Sequence, residues 1–282
     1  MTAVYNAMFD DMLNFVWIDP ESTGLYVEKY IKDKNSPWLV FLHGFGGSTK
    51  MWKKQIDEFK ENYNLCFIDL PGHGQSAAGI KYKHIRKFDK VADIIVETLR
   101  NHGITKATFL CVSLGSLIFA GIFKKYPEMV EKAILCGAVS GINVVCHTLL
   151  GFVNAIKHLL PYMVILKFFA YILMPFKSHR KSREFFINSG KLLGRSEFMA
   201  WFSLFVHDLN ALKNLNGLRD KVLFVTGSED FVFISGVKKK YKKLKDANLK
   251  ILKRCGHVCN IQKWSEFNHI ALSYIDAVYF KK

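Results

Sequence analysis

Residues 108–116 read Thr-Phe-Leu-Cys-Val-Ser-Leu-Gly-Ser, TFLCVSLGS. An apolar, strand-like run passes without a break into small residues that suit a helix, and Ser113 stands at the junction. A serine held there sits on a tight turn with its hydroxyl lifted above the sheet. The neighbours must be small, because strand and helix pass each other closely. Cys111 lies two residues before the serine and Gly115 two residues after it, which is the pattern G-x-S-x-G with cysteine in the first glycine position. A serine ahead of a helix is also a common N-cap, so the surroundings of these residues have to decide their meaning.

Other apolar runs of strand length occur at WLVFL (38–42), LCFIDL (65–70), ATFLCV (107–112), KAILCGA (132–138), KVLFVTG (221–227) and NLKILK (248–253). Most are continuously hydrophobic rather than alternating, as strands covered on both faces require. Helix-like segments at 50–61, 84–101 and 114–125 separate the earlier ones. Strand and helix alternate, which predicts an α/β fold: a mostly parallel central β-sheet flanked by helices. The rhythm stops at residue 141. From there to 218 the sequence is helical and very apolar, so the prediction is a core in two parts, 1–140 and 219–282, with a helical lid or cap at 141–218. Within it LLPYMVILKFFAYILMPF (159–176) approaches the ~17–25 residues of a bilayer span. Pro161, Lys167 and Pro175 interrupt it and no second span accompanies it, so the lid is the better reading.

The chain has 282 residues, half of them hydrophobic, and carries 40 Lys and Arg against 24 Asp and Glu, a formal net charge of +16. Such a surface attracts anionic lipid, acidic protein or nucleic acid, although a generally lysine-rich composition accounts for the charge equally well. VKKKYKKLKDANLKILKR (237–254) has Tyr241 alone among its lysines for base stacking, and no nucleic-acid fold signature accompanies it. A solvated helix face is expected, with an anionic membrane surface or an acidic partner as the functional alternative and no nucleic-acid partner. KSHRKSR (177–183) follows directly on the most apolar part of the insertion, the layout of an interfacial helix pair. The six cysteines read as reduced core residues, since Cys66, Cys111 and Cys136 lie in or at the end of strand-like runs. The N-terminal MTAVYNAMFDDMLNF lacks a basic region followed by an apolar one, so no signal peptide is expected. The default location is cytoplasmic, with peripheral membrane association as the alternative.

Four further motifs surround the serine. HGFGG (43–47) ends the first of the strands above, and its glycines let backbone amides approach a ligand. DLPGHGQS (69–76) closes the next strand, FVTGSED puts Asp230 just beyond another, and RCGHVCN puts His257 beyond the last. The order is serine, acid, histidine, each at the carboxyl end of a strand where an α/β sheet builds its site. Glu229 is the competing acid, but the G-x-x-D spacing from Gly227 favours Asp230. His43 and His73, in the glycine-rich loops, read as turn-stabilising groups. CGHVC (255–259) suggests zinc, yet structural zinc wants four ligands in paired spacings and no second pair appears, so no metal is expected.

Taken together, HGFGG, DLPGHGQS, VSLGS, GSED and GH resemble the α/β-hydrolase superfamily, in its branch of small serine esterases, lipases, enol-lactonases and carbon-carbon bond hydrolases. The resemblance implies Ser113 as nucleophile, His257 as general base and Asp230 as the acid that stabilises the imidazolium. It implies an oxyanion hole made by the backbone N–H groups of Phe45 and Leu114. It further implies a small-molecule ester substrate of apolar character and no cofactor. A lactonase or carbon-carbon hydrolase would use the same groups, and a ligand-binding protein on the same fold is the non-enzyme alternative. Three departures stand out: Cys111 for the usual glycine, Lys221 where many relatives have proline, and DFVF (230–233) without the proline that often follows the acid.

Overall fold

The computed structural model describes residues 14–18 (backbone), 23–76, 87–142, 144–207, 221–244 and 248–280. The expectation for the N-terminal segment, the first residues of the helix expected from 84, and the end of the insertion at 208–218 lie outside the described residues.

Eight strands form one sheet in the order β1-β2-β4-β3-β5-β6-β7-β8. They are β1 (Asn14–Ile18), β2 (Tyr26–Tyr30), β3 (Trp38–Leu42), β4 (Asn64–Ile68), β5 (Ala107–Val112), β6 (Val130–Cys136), β7 (Val222–Gly227) and β8 (Asn248–Leu252). β2 pairs antiparallel with β1 and β4, and every pairing from β4 to β8 is parallel. The two antiparallel strands were not anticipated from the sequence. The continuous hydrophobicity of the inner strands now has its cause. Val40, Leu42, Phe109, Cys111, Ala133, Leu135, Val222 and Phe224 face one core. Their neighbours Leu39, Phe41, Leu110, Val112, Ile134, Cys136, Leu223 and Val225 face the other. With a side-chain period of two and both faces covered, every position must be apolar.

The helices that cover the sheet are α1 (Lys53–Phe59), α2 (Phe88–Asn101), α3 (Leu114–Lys125), α7 (Ile234–Lys243), the single turn α8 (Cys259–Gln262) and α9 (Trp264–Tyr279). α2 shows why: Phe88, Val91, Ala92, Ile95, Val96 and Leu99 recur at helical spacing and are all buried. Between β6 and β7 the described chain is helical, comprising α4 (Val144–Ile156), α5 (Tyr162–Leu173) and α6 (Arg180–His207), the last broken at Gly194 by a φ of 75°. Pro161 starts α5 and Pro175 follows it, each where a missing N–H does no harm or stops the helix. No described helix is long and apolar enough to cross a membrane.

The chain leaves β3 toward β4 on one side and returns to β5 on the other, so β3 and β5 are neighbours whose connections diverge. Ligands of open α/β sheets bind at the carboxyl ends of strands at such a switch point. HGFGG and Ser113 are both there.

Candidate active site

Ser113 has φ 50° and ψ −112°, a conformation that costs a non-glycine residue of order 1–3 kcal/mol and persists only where its surroundings enforce it. The enforcement is visible. Its N–H donates to the Cys136 carbonyl of β6 (3.0 Å), and its carbonyl accepts from the Ser116 N–H (2.8 Å) and the Ser116 hydroxyl (2.5 Å). Ser116 Oγ in turn accepts from the Val139 N–H (3.1 Å), tying the turn to the loop after β6. At Gly115 a Cβ would lie 2.5 Å from the Leu42 carbonyl oxygen, so the second glycine of the pattern is a steric requirement of the close crossing. Cys111, in the first glycine position, is fully buried on β5, and burial pushes its thiol well above the usual range.

The structure brings Ser113, His257 and Asp230 into one row. His257 Nε2 lies 2.8 Å from Ser113 Oγ, and His257 Nδ1 lies 2.8 Å from Asp230 Oδ2. A carboxylate accepts only, so Nδ1 carries the proton and Nε2 accepts from the serine hydroxyl. Asp230 is fully buried and His257 nearly so, while Ser113 keeps partial exposure. The Asp230 carboxylate is also offered the Phe233 N–H at 3.4 Å. The imidazole fits because Gly137 (φ 53°) has no side chain: a Cβ there would meet the His257 carbonyl oxygen at 2.6 Å and its ring at 3.0 Å. A row of this kind lets a hydroxyl hand its proton to an imidazole as it attacks a carbonyl.

Glu229, the competing acid, points elsewhere. Its Oε2 lies 2.7 Å from Nε2 of His179, a fully buried histidine in the turn between α5 and α6. The loop carrying Asp230 is therefore fastened to the inserted helices by the adjacent residue. No sequence pattern could have paired residues 50 apart in this way.

Phe45 lines the cavity beside Ser113, and Leu114 is the first residue of α3, so no carbonyl within that helix can accept its N–H. The Gly46 and Gly47 N–H groups are engaged, by His73 Nε2 (3.1 Å) and the Gly44 carbonyl (2.9 Å). His43 and His73 brace these loops. His43 donates from Nδ1 to the Gly44 carbonyl (2.8 Å) and accepts at Nε2 from the Leu70 N–H (2.9 Å). His73 donates from Nδ1 to the Pro71 carbonyl (3.1 Å). Asp69 accepts from the Thr49 (2.6 Å) and Gln75 (2.7 Å) N–H groups, binding the two loops together.

Burial lowers the His43 imidazole to about 4 and holds His73 well below its ordinary value. A folded-state value below the unfolded ~6.5 means that protons favour the unfolded chain. The neutral histidines therefore stabilise fully above about pH 6.5, and that contribution is lost as pH falls toward 4. For His43 alone the loss is expected to reach about 3 kcal/mol. Denaturant melts across this window should show a steep acid loss that is reduced in His43→Gln; parallel pH profiles for the two proteins would contradict it.

A cavity of about 110 Å³ opens over Ser113 and His257. Its walls are apolar and come from both the sheet domain and the insertion: Met51, Val112, Val232 and Phe233 below, and Leu150, Leu166, Phe169, Phe186 and Phe198 above. Among the described residues, no lysine or arginine lines it. Ser182 of α6 lines the cavity from the insertion, and its buried hydroxyl has no hydrogen-bond partner among the described residues. Cys255 and Cys259 beside His257 are buried free thiols, Cys259 donating to the Gly256 carbonyl at 3.6 Å. Among the described residues, no group of three or more His, Cys, Asp or Glu side chains is placed to hold a metal.

Comparison with known proteins gives a consistent picture of the fold. Residues 37–164 match a family model described as alpha/beta hydrolase fold. The 2-succinyl-6-hydroxy-2,4-cyclohexadiene-1-carboxylate synthase of Escherichia coli is 37% identical over 103 residues, 36% of this chain and 37% of that enzyme. The chain thus aligns with only about a third of the length of the curated relatives it matches. Among solved structures, an esterase from Exiguobacterium antarcticum superposes with a TM-score of 0.76 at 19% identity, over 89% of this chain and 95% of that one. The enol-lactonase from Burkholderia xenovorans superposes at 0.70 and 14%, over 89% and 97%. At such identities these likenesses establish the fold.

Proposed function

We propose that this chain, which has the α/β-hydrolase fold, is a serine hydrolase cleaving the carboxylic ester of an apolar acyl group. The observation that carries the reading is the Ser113–His257–Asp230 row at the floor of an apolar cavity. Ser113 Oγ attacks the carbonyl carbon while its proton passes to His257 Nε2, and Asp230 stabilises the imidazolium. The developing oxyanion accepts from the N–H groups of Phe45 and Leu114; such a donor is worth about 3–4 kcal/mol in the transition state. His257 returns the proton to the leaving alkoxide. Water, deprotonated by the same imidazole, then cleaves the acyl-enzyme and releases the acid. The inserted helices act as the lid over this chemistry. No step needs a cofactor.

The cavity argues against transferring the synthase activity named for the E. coli relative. A carboxylate-bearing molecule would find no lysine or arginine among the described residues of these walls, and burying an unpaired charge is costly. An alkyl chain loses nothing there. kcat/KM on p-nitrophenyl esters is expected to rise from acetate through the medium chains, by up to about fourfold per methylene that the cavity accepts. The unmet Ser182 hydroxyl adds a preference for an oxygen on the substrate, because leaving a buried donor unpaired costs about 1–3 kcal/mol. Ser182→Ala should accordingly lower kcat/KM for hydroxy- or oxo-acyl esters while sparing plain alkyl ones. A protein that prefers acetate contradicts the apolar assignment, and equal losses on both ester types contradict the role of Ser182.

A further inference from the structure

α5 is apolar on both sides. Leu166, Phe169, Ile172 and Leu173 face the cavity. On the opposite face Val164, Phe168 and Tyr171 are 51%, 42% and 55% exposed, with Lys167 exposed among them. A helix apolar all round belongs in an apolar medium, and contiguous exposed apolar surface marks an interaction site. At 12 residues, about 18 Å, it is too short to cross a bilayer.

The exposed face continues beyond the helix. The Arg183 guanidinium lies 4.4 Å from the centroid of the Tyr171 ring and donates to the carbonyls of Met174 (2.5 Å) and Phe176 (3.1 Å). Phe176, itself 45% exposed, packs edge-on against Phe231 at 6.0 Å, and Phe231 is 54% exposed directly after Asp230. Aromatic surface thus runs from α5 to the loop of the candidate acid. Its charge is one-sided: between Glu131 and Glu184 the chain contains no carboxylate side chain, while Lys167, Lys177, Arg180 and Lys181 are exposed. Glu184, where carboxylates resume, lies 3.8 Å from Arg180.

We infer that this face docks on the surface of an anionic lipid bilayer, with the α5 side chains and Phe176 and Phe231 entering the interface and the basic residues meeting the headgroups. Apolar side chains rimmed by cations, with the neighbouring Glu184 and Glu229 carboxylates turned to Arg180 and His179, complement that surface chemically. The inference does not rest on the catalytic reading.

Sedimentation with phosphatidylcholine vesicles, with and without phosphatidylserine, tests it. Binding is expected to be stronger to the anionic vesicles and to weaken as salt rises. Lys177→Ala with Lys181→Ala should lower partitioning to anionic vesicles by about 25-fold, roughly fivefold per charge near the membrane. Val164→Ser with Phe168→Ser should weaken binding to both vesicle types. Neither double variant should alter hydrolysis of a soluble ester, and Ser113→Ala should bind vesicles like the native protein, separating docking from chemistry. Negligible binding to anionic vesicles at low salt would overturn the inference, as would binding that survives both double variants.

Discussion

Ser113→Ala is expected to reduce turnover of short p-nitrophenyl esters by on the order of 10⁴–10⁶-fold, to the residual rate that binding and the oxyanion donors support. The alanine keeps the strand-turn-helix geometry, whose hydrogen bonds come from the backbone and from Ser116, and removes only the oxygen 2.8 Å from His257 Nε2. Circular dichroism should match the native protein, so the loss will be chemical. A folded Ser113→Ala protein with near-native esterase activity would remove the mechanism altogether.

Asp230→Asn should cost about 10⁴-fold in kcat. An amide cannot stabilise the imidazolium and presents an N–H₂ that favours the wrong tautomer of His257. Asp230 is fully buried with its Oδ2 on His257 Nδ1, and it is the acid that the described residues place on that nitrogen. Glu229→Gln makes the comparison informative. Its carboxylate meets His179 rather than His257, so the expected change in kcat is less than tenfold. A reversal of the two effects would reassign the acid while leaving the serine and histidine in place.

The site was more legible in the sequence than its surroundings were. Ser113, Asp230 and His257 each lie in the loop or turn that follows a strand, and strands buried on both faces are continuous apolar runs that end where the candidate site begins. Tight turns there admit few residues, which is why Gly115 and Gly137 are steric requirements. The antiparallel pair β1 and β2 was not legible. NFVWI and YVEKY are short, and YVEKY mixes charge with apolar residues at the end of the sheet order. Nor could periodicity orient α5, since a helix apolar on every side has no preferred face. The His179–Glu229 contact and the unpaired Ser182 hydroxyl depend on how the inserted helices sit over the sheet, which spacing does not encode.

The central claim is that Ser113 is an activated nucleophile, and covalent labelling with a fluorophosphonate followed by peptide mass mapping tests it most directly. An ordinary serine hydroxyl is inert to this reagent, whereas one whose proton is accepted by a histidine reacts. The account predicts a single adduct on the peptide containing Ser113, absent in Ser113→Ala and strongly slowed in Asp230→Asn. No adduct in the folded native protein, or an adduct on another serine such as Ser116 or Ser182, would contradict it.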